Sequence, residues 1–290
     1  MLSAGLAELV GVPVVMEKLG PKAPPPYVVR IYEKRAQSEV VAQPPPVPET
    51  PIDISGIPEL RDRVLEVGSD IAYAPFEFFK EGTQVPDGLD VDLTNALAQR
   101  LGVQATFHNT RFDGIIRALK GKRFDIIMSA MTITDERTRE IELVPYYATP
   151  TMGTAVLVPK GNPRRIRRLT DLCGLRVAVQ EGTVQVEEVK SIVCTQKMKV
   201  NLSTFHKNPE AVQQLKLGRV DALLADLSAA AFDAKQANGE LELVPNRFKY
   251  APYGIGLRKD STQLKTALTQ ALQAIRGDGT YDSILKKWGV

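Results

Sequence analysis

The 290-residue sequence is poor in the residues on which metal binding and acid–base catalysis often depend. It has two histidines, two cysteines and one tryptophan. His108 and His206 lie in different halves of the chain, without Cys, Asp or Glu at metal-ligand spacing, so we assign both to surface or structural roles. A Gly-rich phosphate loop is also missing, because the GDGTYD segment at 277–282 is a break between helices. These absences predict no metal, no cofactor and no catalytic set.

A strong charge of one sign is missing too. The chain has 37 lysines and arginines against 34 aspartates and glutamates, for a formal net charge of +3. The densest basic run, Arg164 to Arg168, has no aromatic residues interleaved for base stacking, so we predict no nucleic-acid partner. No run of about 18 apolar residues occurs, which predicts no transmembrane helix. The first 20 residues lack a basic start, and Glu8 interrupts their apolar stretch, so no signal peptide is evident.

The scarcity of cysteine leaves two interpretations open. Cys173 and Cys194 are 21 positions apart. They could be two buried thiols, or they could form one disulfide in an exported protein. Closing a loop of that length would stabilise the fold by about 3 kcal/mol on the chain-entropy model.

The first 56 residues differ from the rest of the chain. One proline cluster lies between Pro21 and Pro26, and a second lies between Pro44 and Pro51. Proline fixes its own φ and removes a backbone donor, so neither cluster can join a helix or a central strand. We therefore expect residues 1–56 to form a poorly ordered leader outside the folded domains.

Beyond the leader, the pattern predicts strands that alternate with helices. Leu65 and Val67 mark a strand, and apolar residues at helical spacing over 93–101 follow Asp92, a predicted N-cap. Further strands and helices follow in the same alternation to the end of the chain. The length and this alternation predict two domains of moderate size, each with a mainly parallel α/β sheet.

The stretch FDIIMSAMTITDER, at 124–137, combines a buried strand with a polar cluster. Its apolar run at 126–128 is typical of a central strand, and Ser129, Thr132 and Arg137 follow it. Open α/β sheets bind ligands at the carboxyl ends of their strands, and an arginine there can bind a carboxylate with two hydrogen bonds. The alternative is that Thr134 caps a helix and that Arg137 lies on a solvated face.

A short internal repeat links the two halves of the chain. LKGKRFD at 119–125 aligns with LKLGRVD at 215–221, and both lead into an apolar strand. In this alignment Ala130 corresponds to Asp226. Two similar lobes would place Arg137 and Asp226 on opposite sides of a cleft, where a cation and an anion could bind one small zwitterion.

From about Leu65 to Val290 the chain resembles the polar amino-acid-binding proteins of ABC importers, solute-binding protein family 3. The matching segments are GSDIAYAPFEF (68–78), GLDVDLTNALA (88–98), FDGIIRAL (112–119), MTITDER (131–137), VAVQEGTVQ (177–185), VDALLAD (220–226) and GDGTYDSILKKWGV (277–290). Their number and order make the resemblance specific.

The resemblance implies the type II periplasmic-binding-protein fold, an α/β fold with two lobes that close on the ligand about two crossover strands. Lobe one would comprise residues 57–150 plus 252–290, and lobe two residues 151–251. The implied function is an extracytoplasmic receptor that delivers a free amino acid to the membrane subunits of an ABC transporter. We expect it to be a monomer.

The resemblance assigns the two ends of a bound amino acid to opposite lobes. Arg137 is expected to bind the α-carboxylate through a bidentate pair. Asp226 is expected to accept the α-ammonium, with the carbonyl of Ala130 as a second acceptor. The groups expected to assist at the carboxylate are Thr132 and the backbone amides near Thr132 and Val184. Thr183 is also expected to bind the ligand.

Other residues are expected to contact the ligand side chain. By the resemblance, Tyr73 and Phe112 sandwich it, although both aromatics could instead serve core packing. The residues expected at its polar end are Asp70, Ser129 and Gln180. Asp70 favours a polar or cationic amino acid, whereas Glu77 is expected on the surface.

Two further expectations come from the resemblance. A subgroup of relatives carries a disulfide in lobe two at the positions of Cys173 and Cys194, which favours the paired interpretation. Cyclic-acid dehydratases have arisen on the same fold, so an enzyme with Glu77 or Glu181 as general acid is the alternative function. Retention of Arg137 and Asp226 favours simple binding.

Overall fold

Two five-stranded sheets, each covered by helices, form two lobes. The computed structural model describes residues 52–149, 152–195 and 198–289. Residues 1–51 of the predicted leader lie outside the described residues. Ile54, near the end of the predicted leader, packs into the core of lobe one. The two-lobed α/β architecture predicted from the sequence is confirmed.

The sheet of lobe one has β5 at its centre. Its strands, in spatial order, are β4 (Gln104–Asn109), β1 (Val64–Ser69), β5 (Ile126–Ile127), β12 (Tyr253–Leu257) and β6 (Glu142–Tyr147). Strand β1 pairs in parallel with β4 and β5, whereas β12 is antiparallel to both of its neighbours. A separate short ribbon pairs β2 (Phe78–Phe79) with β3 (Pro86–Asp87).

The sheet of lobe two repeats this arrangement. Its strands, in the matching order, are β9 (Asn201–Phe205), β8 (Arg176–Gln180), β10 (Ala222–Asp226), β7 (Thr154–Pro159) and β11 (Leu241–Phe248). Strand β8 is parallel to β9 and β10, and β7 is antiparallel to both of its neighbours. The internal repeat of the sequence therefore leads into equivalent central strands, β5 and β10.

Eight α-helices are found among the described residues. They are α1 (Leu89–Leu101), α2 (Ile115–Lys120), α3 (Asp135–Glu140), α4 (Val184–Lys190), α5 (Asn208–Lys216), α6 (Leu227–Gln236), α7 (Thr262–Gly277) and α8 (Thr280–Trp288). Helix α1 begins earlier than predicted, because its N-cap is Gly88 and Asp92 lies in its first turn. Gly88 has φ 132°, and a Cβ there would lie 2.1 Å from the carbonyl oxygen of Phe76, so only glycine fits.

The chain passes between the lobes twice. The first connection joins β6 to β7, and the second joins β11 to β12. Each lobe keeps its own apolar core: Leu93 and Leu97 of α1 pack with Leu268 of α7 in lobe one, and Leu223 of β10 lies in a core of lobe two. Burying each of these leucines contributes about 1.5–3 kcal/mol. Two lobes with their own sheets, joined by two connections, are what a hinge motion requires.

Lobe two also contains a disulfide between Cys173 and Cys194. The paired interpretation of the two cysteines is therefore confirmed. None of the helices in the described part of the chain combines the length and apolar character that a membrane span needs.

Candidate functional site

A polar cavity lies where strands of the two lobes end. Asp70 directly follows β1, Gln180 ends β8 and Asp226 ends β10, so the carboxyl ends of three strands contribute to it. All three side chains are buried. The cavity volume is about 10 Å³, which is space for about one water molecule. The lobes are therefore closed on each other.

The eleven residues predicted to bind the ligand all line this cavity, and so do two that were not predicted there. The predicted residues are Asp70, Tyr73, Phe112, Ser129, Ala130, Thr132, Arg137, Gln180, Thr183, Val184 and Asp226, and the additional ones are Glu77 and Gln185. A groove of about 1140 Å³ adjoins the cavity and shares Thr132, Arg137 and Asp226 with it. The predicted residues therefore come from five segments of the chain, at 70–73, 112, 129–137, 180–184 and 226, that meet at one place.

Arg137 lies in the first turn of the short helix α3. The side chain of Thr134 caps this helix by accepting a hydrogen bond from the backbone N–H of Arg137, so the predicted cap is present. The predicted alternative that Arg137 lies on a solvated face is wrong, because its exposed fraction is 9%. Its guanidinium donates to the carbonyl of Thr132 at 2.7 Å and to that of Gly182, in lobe two, at 3.0 Å. Burial lowers the pKa of Arg137 to about 10, which leaves it charged at neutral pH.

Asp226 supplies the opposite charge from lobe two. Its carboxylate accepts hydrogen bonds from the hydroxyl of Tyr73 at 2.8 Å and from Nε2 of Gln185 at 3.0 Å. Burial raises the pKa of Asp226, and these hydrogen bonds and the charge of Arg137 oppose the increase. The role of Gln185 was missed by the sequence reasoning, although the residue closes the quoted segment VAVQEGTVQ.

The two predicted aromatics differ in their surroundings. Tyr73 is buried, bonds to Asp226 across the cleft and stacks on Phe76 with ring centroids 6.3 Å apart. Phe112 is half-buried, and the guanidinium carbon of Arg137 lies 5.3 Å from its ring centroid. Tyr73 therefore both packs in the core and lines the cavity. Phe112 lines the cavity beside the positive charge of Arg137.

Asp70 lines the part of the cavity that we call its distal end, and it is bonded across the cleft. Nε2 of Gln180, in lobe two, donates to its Oδ2 at 2.6 Å, and the Ser129 hydroxyl accepts from its backbone N–H at 3.0 Å. Its other carboxylate oxygen, Oδ1, is buried without a hydrogen-bond donor among the described groups. Burial raises the pKa of Asp70 to about 6, and the Gln180 hydrogen bond limits the increase.

The expectation that Glu77 lies on the surface is wrong. Its exposed fraction is 1%, and its Oε1 accepts a hydrogen bond from the Ser129 hydroxyl at 2.7 Å. Burial and the neighbouring Asp90 raise its pKa well above the ordinary value. Asp90 is fully buried, and it accepts from the Tyr146 hydroxyl and from the backbone N–H of Ala130. Ala130 itself has a positive φ of 41°.

A second set of polar side chains joins the lobes at the exposed edge of the cleft. Arg111 donates to Asp113 at 2.7 Å within lobe one, and it reaches Glu181 at 3.5 Å and His206 at 2.6 Å in lobe two. The sequence placed no acidic residues near His206, yet Asp113, Glu181 and His206 offer ligand atoms within 4.8 Å of one another. The guanidinium of Arg111 already lies among them, so this cluster is an ion-pair network between the lobes.

The family of bacterial extracellular solute-binding proteins, family 3, matches residues 65–290. This chain belongs to that family. The described fold is accordingly the type II periplasmic-binding-protein fold.

Three comparisons place this family member among amino-acid-binding proteins. It is 33% identical over 224 residues to the L-cystine-binding protein TcyJ of Escherichia coli (strain K12), covering 77% of this chain and 82% of that protein. Solved structures of an ancestral arginine-binding protein, bound to arginine and bound to glutamine, are 38% identical with a TM-score of 0.72, covering 78% of this chain and 97% of theirs. The ancestral amino-acid-binding protein AncCDT-1, a precursor of cyclohexadienyl dehydratase, is 37% identical with a TM-score of 0.71, covering 80% and 97%.

Proposed function

We propose that this chain is the extracytoplasmic receptor of an ABC importer and binds a free amino acid between its lobes. The observation that carries the proposal is the pair of buried, opposite charges, Arg137 and Asp226, that face one cavity from opposite lobes. Arg137 would bind the α-carboxylate and Asp226 the α-ammonium. A buried cation and a buried anion are costly unless paired, and a zwitterion pairs both at once.

The closed cavity implies that the ligand enters when the lobes separate. Direct hydrogen bonds now cross the cleft from Tyr73 to Asp226 and from Gln180 to Asp70. A volume of about 10 Å³ cannot hold an amino acid together with these bonds. The ligand would replace these two hydrogen bonds with hydrogen bonds of its own to each lobe.

The distal end of the cavity favours a cationic or polar side chain. Among the described groups, Oδ1 of Asp70 is buried without a hydrogen-bond donor. Two more buried carboxyl groups are Glu77, which also lines the cavity, and Asp90, which does not. A guanidinium, an ammonium or an amide would supply the missing donor, and a cation would also offset the carboxylate charge. Arginine and glutamine, the two ligands of the ancestral arginine-binding protein, meet this requirement.

The domain boundaries, the assembly and the partners follow from the same proposal. Lobe one would comprise residues 57–150 plus 252–290 and lobe two residues 151–251, with the hinge at their junctions. The protein would act as a monomer outside the cytoplasmic membrane and would present the closed, loaded cleft to the membrane subunits of the transporter. The family's description as extracellular supports this location.

The alternative is a dehydratase-type enzyme on the same fold. The similarity to AncCDT-1 and the buried Glu77 favour considering it. Glu181, the other residue nominated as general acid, lies at the exposed edge and is occupied by Arg111 and His206. Curated relatives such as TcyJ are binding proteins, which supports a receptor that performs no reaction.

A thermal-shift screen with the twenty amino acids tests the proposal. A ligand that binds only the folded state adds about 2.7 kcal/mol at a hundredfold excess over its Kd, so the melting temperature should rise clearly for at least one of them. An Asp226→Ala variant in the same screen should show no shift. A panel in which no amino acid raises the melting temperature would contradict the proposal.

A further inference from the structure

Three buried carboxyl groups surround Ser129 beneath the distal end of the cavity. The Ser129 hydroxyl accepts from the backbone N–H of Asp70 and donates to Oε1 of Glu77. Glu77 and Asp90 are held by adjacent residues, because Glu77 accepts from the Ser129 hydroxyl and Asp90 accepts from the backbone N–H of Ala130. A side-chain hydrogen bond to Asp90 is among the causes that raise the pKa of Glu77. Two of these groups, Asp70 and Glu77, line the cavity, whereas Asp90 lies behind them.

The hydrogen-bond donors around the pair identify where a proton resides. Asp90 accepts from the Tyr146 hydroxyl at both oxygens and from the backbone N–H of Ala130, which stabilises its carboxylate form. Oε2 of Glu77, in contrast, is buried without a donor among the described groups. A proton on Glu77, donated to Asp90, satisfies this oxygen and removes the repulsion between two buried carboxylates.

Other titratable groups near the pair do not neutralise it. Asp70 acts on Glu77 with a like charge, and the neighbouring Tyr146 bears a phenol whose pKa is raised far above neutrality. Burial raises the pKa values of Tyr147 and Tyr281, and the negative charge of Asp90 adds to the increase. Among the described residues, the hydrogen-bond partners of the Glu77 and Asp90 carboxyl groups include no lysine or arginine. Burial also raises the pKa of Asp90, to about 7, so above pH 7 the pair holds one proton and one negative charge in the ligand-free protein.

We propose that Glu77 and Asp90 share a proton that a cationic ligand side chain expels to solvent, so that the pair selects charged over neutral side chains. The inference rests on the proposed function, because it takes the amino acid to be bound with its side chain at Asp70. A cation that reaches the Asp70 carboxylate also comes close to Glu77, since both side chains line the same small cavity. A unit charge about 5 Å away, at an effective dielectric constant of about 20, lowers a carboxyl pKa by about two. A neutral side chain exerts no such effect and leaves the proton in place.

Calorimetric titration with L-arginine and with L-glutamine tests the proposal on the purified protein. Each titration is run at pH 7 and pH 8, above the pKa of about 6 of Asp70, in phosphate and in Tris, which differ in ionisation enthalpy. We expect release of up to one proton for each arginine bound and an arginine affinity that rises up to tenfold from pH 7 to pH 8. Glutamine should bind without proton release and with an affinity that does not depend on pH.

The Glu77→Gln variant has nearly the shape of protonated Glu77 and cannot release a proton. It should abolish the proton release and lower the ratio of arginine to glutamine affinity at pH 8 about tenfold. Glu81→Gln, at an exposed position nearby, is the matched control and should behave as the wild type. Thermal unfolding of each variant checks the fold, and the wild-type proton count decides the question even if Glu77→Gln does not fold.

Each other outcome contradicts a different statement. Arginine binding without proton release, or release that persists in Glu77→Gln, overturns the shared-proton inference and leaves the receptor function intact. Binding of glutamine but not of arginine overturns the proposed selection of charged side chains. Absence of binding by every amino acid overturns the proposed function and this inference together.

Discussion

Replacing Gly182 by alanine should weaken ligand binding through the closure of the lobes. Gly182 follows β8 in lobe two and has φ +79°, and a Cβ built there lies 2.7 Å from the Cα of Asp113 in lobe one. Carbon atoms in ordinary contact are about 3.5–4.0 Å apart, so the lobes must separate by about 1 Å at this edge. Asp113 offers backbone rather than a flexible side chain at this contact, so the overlap cannot be relieved locally.

The size of the effect follows from the hydrogen bond at the same place. The carbonyl of Gly182 accepts from Arg137 at 3.0 Å, and a shift of about 1 Å takes that bond beyond hydrogen-bonding distance. Losing one hydrogen bond to a charged group costs about 1.5–3 kcal/mol. We therefore expect a loss of affinity between about tenfold and about hundredfold.

Gly161→Ala is the matched control for this prediction. Gly161 also has a positive φ, of +77°, but no atom lies within 4 Å of its added Cβ. Both substitutions strain a left-handed backbone by about 1–2 kcal/mol, which thermal unfolding will show. Calorimetric titration with the amino acid of largest thermal shift should then reveal weaker binding in Gly182→Ala alone. Equal affinities in the two variants would refute the steric argument.

Three further predictions concern charge, pH and the disulfide. Arg137→Ala and Asp226→Ala should each lower the ligand affinity at least hundredfold in calorimetric titrations, because each leaves one ligand charge buried and unpaired. The control Arg139→Ala, at an exposed position of the same helix, should bind the ligand as the wild type does. A similar loss of affinity in Arg139→Ala would contradict the prediction, because it would indicate a general effect of positive charge. The pKa of Asp70 is raised from 3.8 to about 6, so the stability from its protonated form is present below pH 4 and is lost as the pH rises through 6. Ligand-free Asp70→Asn should therefore be more stable than the wild type at pH 8 by up to about 3 kcal/mol. A difference in free energy of unfolding, from denaturant titrations, that is the same at pH 4 and at pH 8 would contradict this. Exchanging Cys173 and Cys194 for serine should lower the free energy of unfolding by about 3 kcal/mol and leave the ligand affinity unchanged. An altered affinity would contradict this, because it would show that the disulfide shapes the cleft.

The predictable part of the molecule consists of features with a local cause. The central strand predicted from the apolar run at 126–128 is present as β5, at the centre of its sheet, because its residues are fully buried. Arg137 and Asp226 stood out since each follows a buried strand, and the repeat assigned them to opposite lobes. The resemblance then supplied the remaining cavity residues, which neither periodicity nor spacing could have named.

The unpredicted part depends on contacts between residues that are distant in sequence. Glu77 is buried because Ser129, 52 positions away, lies against it, and the sequence around Glu77 carries no sign of that contact. Arg111 and His206 meet although 95 positions separate them, and only the closure of two lobes brings them together. The start of helix α1 was misplaced for a related reason: Gly88 is required by the backbone of Phe76, which lies outside the helix.

The central claim is that Arg137 and Asp226 bind the two charged ends of a free amino acid. The most direct measurement compares three ligands by calorimetric titration: the amino acid of largest thermal shift, its Nα-acetyl derivative and its α-carboxamide. Each derivative removes one charge and leaves one buried protein charge without its partner, so we predict a loss of at least hundredfold for both. Binding of either derivative as tightly as the free amino acid would contradict the account.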